Sequence, residues 1–540
     1  MTRRRMVVMV GVTLLLAGAI ATPTAIRPAL SRWVWSELSA HLERLFDATL
    51  SVESFDVKLF PSVRVEGRGL ALRRNGDQTT APLVTIATFS VSTTLTRLRN
   101  GNVKSVTIDG LTVTLPPDAR SALKQAMAPG PGTPASSANS RRWRPLTIDT
   151  IEATHANLVI SPNDPDGVPL MFDIEVARLN EFSTTEPARF EARVLNPKPR
   201  GMVAATGKLG PWMPDDPRKT HIEGDYTLKQ ADMSVFNGIG GALDSTGSFG
   251  GSLDQIAVQG KTEMVNFSVE TGGHPMPLVT TFSARVDGTN GNTYLDRVSA
   301  KLGNSPVEAS GEVAARRGAH GKTIRFDVRT DSAQLEDFIT LVVSARPSPM
   351  RGRLRLAARM ELPPGDEPVI DTLRLNGKFT ITRGSFASDA VQDKVDELSR
   401  KGRGQPKDMT IDNVLSEFSG DFSLRDGVLQ LPTFQFAVRG AEVHLAGSYG
   451  LRGELLGFTG ELRLQARVSQ TMTGFKSILL KVIDPFFSKH GAGAVLPIRV
   501  GGTVAAPEFG LNLFKGKKKA APTALSAPPS RGTPSRPPES

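Results

Sequence analysis

The chain has 540 residues and no cysteine, which excludes disulfides, cysteine-ligated metals and thiol nucleophiles. Hydrophobic residues make up 39%, with 51 Gly and 38 Pro against only 3 Tyr and 4 Trp, a composition of many short strands and turns with little solid core. The net charge is +11, of which +5 sits in the stretch 515–540 (Lys515, Lys517, Lys518, Lys519, Arg531 and Arg536 against Glu539), so the body is only mildly basic and no nucleic-acid partner is expected.

The N-terminus reads as an export element. Arg3, Arg4 and Arg5 precede an uncharged run from Met6 to Ile26, which at about 1.5 Å per residue reaches about 30 Å, the thickness of a hydrocarbon core. We read residues 1–27 as a transmembrane anchor with a cytoplasmic N-terminus, the arginines staying inside and the bulk of the chain outside. A cleaved signal peptide fits the same residues, with Val7 to Ile20 as its apolar heart. The next stretch, 27–45, places Leu30, Val34, Leu38, Leu42 and Leu45 on one helical face, and Trp33 and Trp35 suit either a membrane interface or a helix capping a sheet.

Beyond it the pattern is strand and turn. In "TLSVESFDVKLFPSVRVEGRGLAL" (49–72), Val57, Leu59, Val63 and Val65 alternate with charged residues on both sides of Pro61. Asp109-Gly110, Asp166-Gly167, Asp287-Gly288 and Asp426-Gly427 are hairpin signals, because both residue types tolerate positive φ. "SVTIDGLTVTLP" (105–116), "LTIDTIEATHANLVI" (146–160) and "MTIDNVLSEFSGDFSLRDGVLQLP" (409–432) share a Thr-Ile-Asp start and read as repeats of one strand-turn-strand unit. Residues 127–142 form a Pro/Ser/Gly linker, and 515–540 is too polar to pack. Two segments break the β pattern. Residues 388–404 read as a surface helix with Val391, Val395 and Leu398 on one face, ending at Gly402. Residues 475–493 concentrate Phe475, Ile478, Leu479, Val482, Phe486 and Phe487 into a helix too oily to stand free, an end-cap candidate.

These pieces resemble the AsmA family of inner-membrane-anchored periplasmic proteins. The resemblance rests on the anchor, "FPSVRVEGRGLAL" (60–72) and "GNVKSVTIDGLTVTL" (101–115). Toward the C-terminus it rests on "FSGDFSLRDGVLQLPTFQFAVRGAEVHLAGSYGL" (418–451) and "DPFFSKHGAGAVLPIRVGGTVAAPEFGLNL" (484–513). Residues 28–126 match as an AsmA-like N-terminal region and 376–514 as the C-terminal region, with a middle β-repeat region, 143–375, between them. The resemblance implies a mainly β fold: an elongated, curled antiparallel sheet forming a groove, with a few short amphipathic helices. It further implies a Gram-negative inner-membrane location with the bulk in the periplasm. The implied partners are phospholipids or other envelope lipids, and the implied role is lipid transport in outer-membrane biogenesis. The competing role is a scaffold that works with envelope assembly proteins to regulate protein targeting to the outer membrane.

No catalytic pattern accompanies this. The seven histidines lack ligand spacing, "NDPDG" (163–167) reads as a turn and not a calcium loop, Gly238, Gly240 and Gly241 lack dinucleotide spacing, and no G-x-S-x-G stretch exists. We therefore expect neither an enzyme nor a cofactor. The candidate site is the set of alternating apolar residues: Val57, Leu59, Val63 and Val65, and Phe434, Phe436 and Val438. They suit a sandwich core or a lipid-facing groove wall. A sandwich needs a second sheet opposite the oily face, and a groove leaves that face open.

Overall fold

The computed structural model describes residues 48–58, 62–74, 82–115, 147–160, 170–183, 185–211, 213, 216–236, 238–270, 273–288, 290–315, 321–365, 367–466, 493–503 and 507–511, together with 35, 36 and 39. The anchor, Leu59, Pro61, the 127–142 linker, Asp166-Gly167, the 475–493 segment and the basic tail lie outside these residues.

Alternation of apolar and polar side chains makes strands along almost the whole chain. They run β1 (Ala48–Ser51), β2 (Ser54–Lys58), β3 (Val63–Arg74), β4 (Val84–Thr93) and β5 (Asn102–Leu115). Next come β6 (Thr147–Ile160), β7 (Leu170–Ser183), β8 (Ala188–Pro197), β9 (Arg200–Leu209) and β10 (His221–Asp232). The middle holds β11 (Ile239–Gly240), β12 (Ala242–Ser252), β13 (Gln255–Val269), β14 (Met276–Asp287), β15 (Asn292–Leu302), β16 (Ser305–Ala315) and β17 (Lys322–Gln334). Then follow β18 (Met350–Leu362), β19 (Arg374–Phe386), β20 (Ser416–Arg425), β21 (Val428–Val438), β22 (Ala441–Gly450), β23 (Leu455–Leu464), β24 (Ala494–Gly502) and β25 (Pro507–Leu511). Among the described residues, helices α1 (Leu95–Arg99), α2 (Leu335–Val342), α3 (Val369–Thr372) and α4 (Asp389–Gly402) interrupt them.

The strands form one large sheet in which each pairs with its neighbour in sequence. β1 and β2 both pair with β3, and the two-residue β11 adds to β13 beside the β10–β12 ladder. Every pairing is antiparallel except β5–β6, where Asn102 faces Thr147 and Leu115 faces Ile160. A parallel pair requires its connection to return across the full strand length. β5 and β6 pair directly, so the sheet continues without a break from one to the other. It also runs unbroken through 375–376, which lie inside β19.

The sheet is open: no pairing joins β25 to β1 or β2 among the described residues. The expected curling into a groove is corrected to that extent. Two more expectations change. Asp109-Gly110 is no hairpin: it lies inside β5, where Gly110 at φ +65° supports a local irregularity while the strand runs on to Leu115. Of the three Asp-Gly pairs among the described residues, Asp426-Gly427 makes a tight two-residue turn, with φ +50° and +70° between Arg425 and Val428, and Asp287-Gly288 opens the longer β14–β15 hairpin loop, Asp287 facing Asn292. The three Thr-Ile-Asp segments are not equivalent either. They fall inside β5, at the start of β6, and in the loop before β20. A shared tripeptide does not fix where a ladder begins.

α2 and α4 sit at the same end of the strands, after Gln334 and Phe386 and beside their pairing partners Arg353 and Met350. The small hydrophobic clusters gather at this helical rim. Val395 of α4 packs with Val414, Val438, Ala441, Leu464 and Ala494, and Leu335 of α2 packs with Ala333, Leu354 and Ile381. α4 carries Asp389 in its first turn and Arg400 and Lys401 in its last, which suits the helix dipole. Its inward face differs from the expected one. Val391 is 40% exposed, and Gln392, Asp396 and Ser399 are buried beside Val395.

A continuous apolar face as the candidate functional site

The ladder registers align one face of the sheet into rows that cross it from strand to strand. In one row Val57, Val65, Val91, Val106 and Ile151 face one another from β2 to β6. It continues through Leu179, Phe190, Gly207 and Gly224 to β10, then Phe249, Val258, Ala284 and Leu295 to β15. Gly311, Phe326, Met360 and Leu375 carry it to β19, and Leu424, Leu429, Tyr449 and Leu456 carry it to β23. No member is charged.

A second row runs two residues nearer the helical rim. It begins with Phe55, Gly67, Phe89 and Ile108 and crosses β6–β9 on four alanines, Ala153, Ala177, Ala192 and Ala205. Tyr226, Gly247, Gly260, Phe282 and Val298 follow, and Ala309, Val328, Ala358, Gly377 and Phe422 complete it. This row is also uncharged. Trp35, in a helical turn, rests 5.2 Å from Phe55 at its start, so this ring touches the sheet at β2.

The position between these rows points to the other face and is polar throughout. Asp56, Glu66, Ser90, Thr107, Glu152 and Arg178 are successive partners from β2 to β7. Ion pairs cross this face. Arg178 meets Glu152 at 2.9 Å, Arg285 meets Asp296 at 2.8 Å and Arg359 meets Asp327 at 2.8 Å. The Arg285 hydrogen bond holds the Asp296 carboxyl below its ordinary range. All are solvent-exposed, where a pair contributes about 1 kcal/mol at most. A hollow of ≈ 580 Å³ over β15–β18 is walled by these paired charges, Asp327 and Arg359 among them.

What lies over the apolar face is as informative as its composition. The sheet is a single layer, and no second sheet opposes it among the described residues. Most row members are neither buried nor fully exposed: Val106, Ile151, Leu179, Phe190, Ala205, Phe249 and Phe326 all stay partly accessible. Aromatic rings lie over glycines of adjacent strands. A Cβ on Gly67 would fall 2.3 Å from the Phe89 ring, and one on Gly260 would fall 3.0 Å from the Phe282 ring. Glycine thus lets each ring lie down, which keeps the face low in relief.

Among the described residues, α2 and α4 cover the helical rim, and polar clamps hold these covers. Asp396 of α4 accepts from the N–H of Asn413 (2.8 Å) and of Val414 (2.9 Å), and Gln392 donates to Asp396 and to the Val414 carbonyl. Ser399 donates to the Arg439 carbonyl at 2.7 Å. α2 repeats the device: Asp337 accepts from the Asn304 N–H (3.0 Å) and the Ser305 hydroxyl (2.6 Å). Asp396, Gln392, Ser399 and Asp337 are tolerated in these buried positions because each meets a partner.

Among the residues singled out from sequence, Val57 and Val65 pair directly within the first row. Val63 sits at the opposite rim facing Thr93 and is 5% exposed. Phe434 and Phe436 lie on the apolar face, partnered by Leu445 and Val443. Val438 is 8% exposed because α4 packs over it, so it belongs to the covered cluster. Leu59 and the end-cap residues Phe475, Ile478, Leu479, Val482, Phe486 and Phe487 are outside the described residues. The sequence reading missed the central rows from β6 to β18, whose alternation is visible but whose partners are not. It also missed α2, although Leu335, Phe338, Ile339 and Val342 follow helical spacing behind Glu336 and Asp337.

Fold and site together define a single-layer, two-faced β-sheet whose distinguishing surface is an uncharged stripe. No family model, no curated protein and no solved structure matches the chain.

Proposed function

We propose that this face holds the acyl chains of lipids. On this reading the chain is a non-enzymatic, AsmA-like protein, anchored in the inner membrane with its bulk in the periplasm, that supports phospholipid transport and outer-membrane biogenesis. The observation that carries the reading is the unbroken uncharged row from Val57 to Leu456, most of whose members are partly accessible and which no second sheet opposes among the described residues. An alkyl chain in water costs about 0.8 kcal/mol per CH₂, and a face of this kind removes that cost without a sealed core. The charged far face keeps such a sheet soluble. The Phe190 and Phe249 rings are 6.4 Å apart although their strands are three ladder steps, about 14 Å, apart, and only glycines lie between them.

Photo-crosslinking of the full chain in cells tests this. A photoreactive residue at Ala205, on the apolar face, labels phospholipid, and one at the adjacent Thr206, on the polar face, does not. Equal labelling at the two positions overturns the reading.

A further inference from the structure

The apolar rows carry few polar atoms, and a group of them gathers at one place near the middle of the sheet. Tyr226 is the polar member of the second row. In the adjoining row toward the helical rim, Leu228, Ser245, Thr262, Thr280 and Ala300 are successive partners from β10 to β15. The hydroxyls of Tyr226, Ser245, Thr262 and Thr280 therefore sit together over strands β10–β14, beside the paired glycines Gly247 and Gly260.

Their proton accounting is specific. Ser245 Oγ donates to the Lys261 carbonyl at 3.2 Å, so the Tyr226 hydroxyl, 3.1 Å away, donates to Ser245. That leaves the lone pairs of Tyr226 Oη open. Thr262 and Thr280 face each other at 2.5 Å: one donates to the other, and the second threonine keeps an uncommitted proton. The group thus offers one donor and free acceptors, all neutral. Its same-face neighbours Met264, Leu278 and Phe282 are apolar.

We propose that this cluster is a binding site for a neutral oxygen function carried by an otherwise apolar ligand, a hydroxyl or an ester. The inference rests on the acyl-chain reading of the face and adds a selective station to it. A plain alkyl chain lying here leaves the open threonine proton unpaired, whereas a chain bearing oxygen at this point satisfies it. The ladder partners around the cluster on this face are uncharged among the described residues, so nothing there favours an anion.

Competition binding with the full-length protein, using ricinoleate (one mid-chain hydroxyl) against oleate, reads the station directly. The wild-type protein binds ricinoleate about three- to tenfold tighter, the worth of one net hydrogen bond. Thr262→Val with Thr280→Val keeps the side-chain shape and erases the preference by raising oleate affinity toward that of ricinoleate, since no proton is then left unpaired beneath the alkyl chain. Tyr226→Phe reduces the preference without removing it. Equal affinity for the two acids in the wild type, or a preference that survives the double substitution, overturns the station and leaves the acyl-chain reading standing. Failure of the wild type to bind oleate at all overturns that reading, and the station with it.

Discussion

The strands β6–β10 and β20–β24 share one pattern and meet different fates. Both alternate apolar and polar residues, and both align their apolar members into cross-strand rows. Over β20–β24 the helical rim is roofed by α4 and the loop before β20, and Val438, Ala441, Leu464 and Ala494 become a dry cluster. Over β6–β10 no described helix forms a buried cluster of this kind, and the row residues Ile151, Leu179 and Phe190 stay partly accessible. An oily face therefore signals that something apolar belongs against it, and not that the same chain supplies it.

The comparison can be broken most forcefully by placing a charge in each region. Val438→Asp puts a carboxylate into the covered apolar cluster, and a destabilisation of about 4 kcal/mol is expected. Hydrogen exchange of the β21 and β22 amides reads this as local opening, and unchanged protection there contradicts the covered assignment.

The clamp comes next. Asp396→Ala strands the Asn413 and Val414 N–H groups and the Gln392 amide. A loss of about 2–3 kcal/mol is expected, confined to α4 and its contacts. Protection of β6–β10 amides stays as in the wild type, which shows the two regions to be separately stabilised.

A smaller stability effect with a larger functional one is expected from Ala205→Asp. The site is partly accessible, so the cost is about 1 kcal/mol or less. Lipid labelling from a photoreactive residue at Ala192, its ladder partner on the same row, falls to the level seen from the polar face. Wild-type labelling in this variant would mean that the row is not the lipid path.

The finest test lies at the parallel junction, where His155 Nδ1 meets Asp109 Oδ1 at 2.8 Å and Thr154 donates to the same oxygen at 2.7 Å. The hydrogen bond to Asp109 raises His155 above its ordinary 6.5, and the bonds from His155 and then Thr154 hold Asp109 below its ordinary 3.8. The histidine's contribution is complete below its unfolded value and is lost as pH rises through the raised one. The aspartate's contribution is present above its unfolded value and is lost as pH falls through the lowered one. The pair thus favours the junction most between about pH 4 and 6.5. Asp109→Asn returns the His155 midpoint, followed by NMR, to its ordinary value.

Much of this was legible in particular residues. Val57 and Val65 alternate with Asp56, Arg64 and Glu66, and the structure pairs them on one face with the charges on the other. Ser388 to Gly402 announced a helix, and Asp426-Gly427 a turn. Other signals misled. Asp109-Gly110 carries the same local preference as Asp426-Gly427, but β5 continues through it because β4 supplies ladder partners on both sides, Thr88 for Asp109 and Ile86 for Leu111. Val391 resembles Val395 in type and spacing, yet α4 turns Gln392, Asp396 and Ser399 inward, because the backbone N–H groups after Asp412 need acceptors.

The sequence by itself determined the two-faced character of nearly every strand, since side chains alternate with a period of two whatever the neighbour. It also determined the charge of the far face and the helical propensity before β20. The tertiary structure decided which residues stand in line, because register is set between strands and a shift of one reverses a face. Only register aligns four alanines across β6–β9 and gathers four hydroxyls over β10–β14. It alone decided which part of the oily face is roofed, since covering depends on where a helix is anchored by distant backbone groups and not on the strand beneath it.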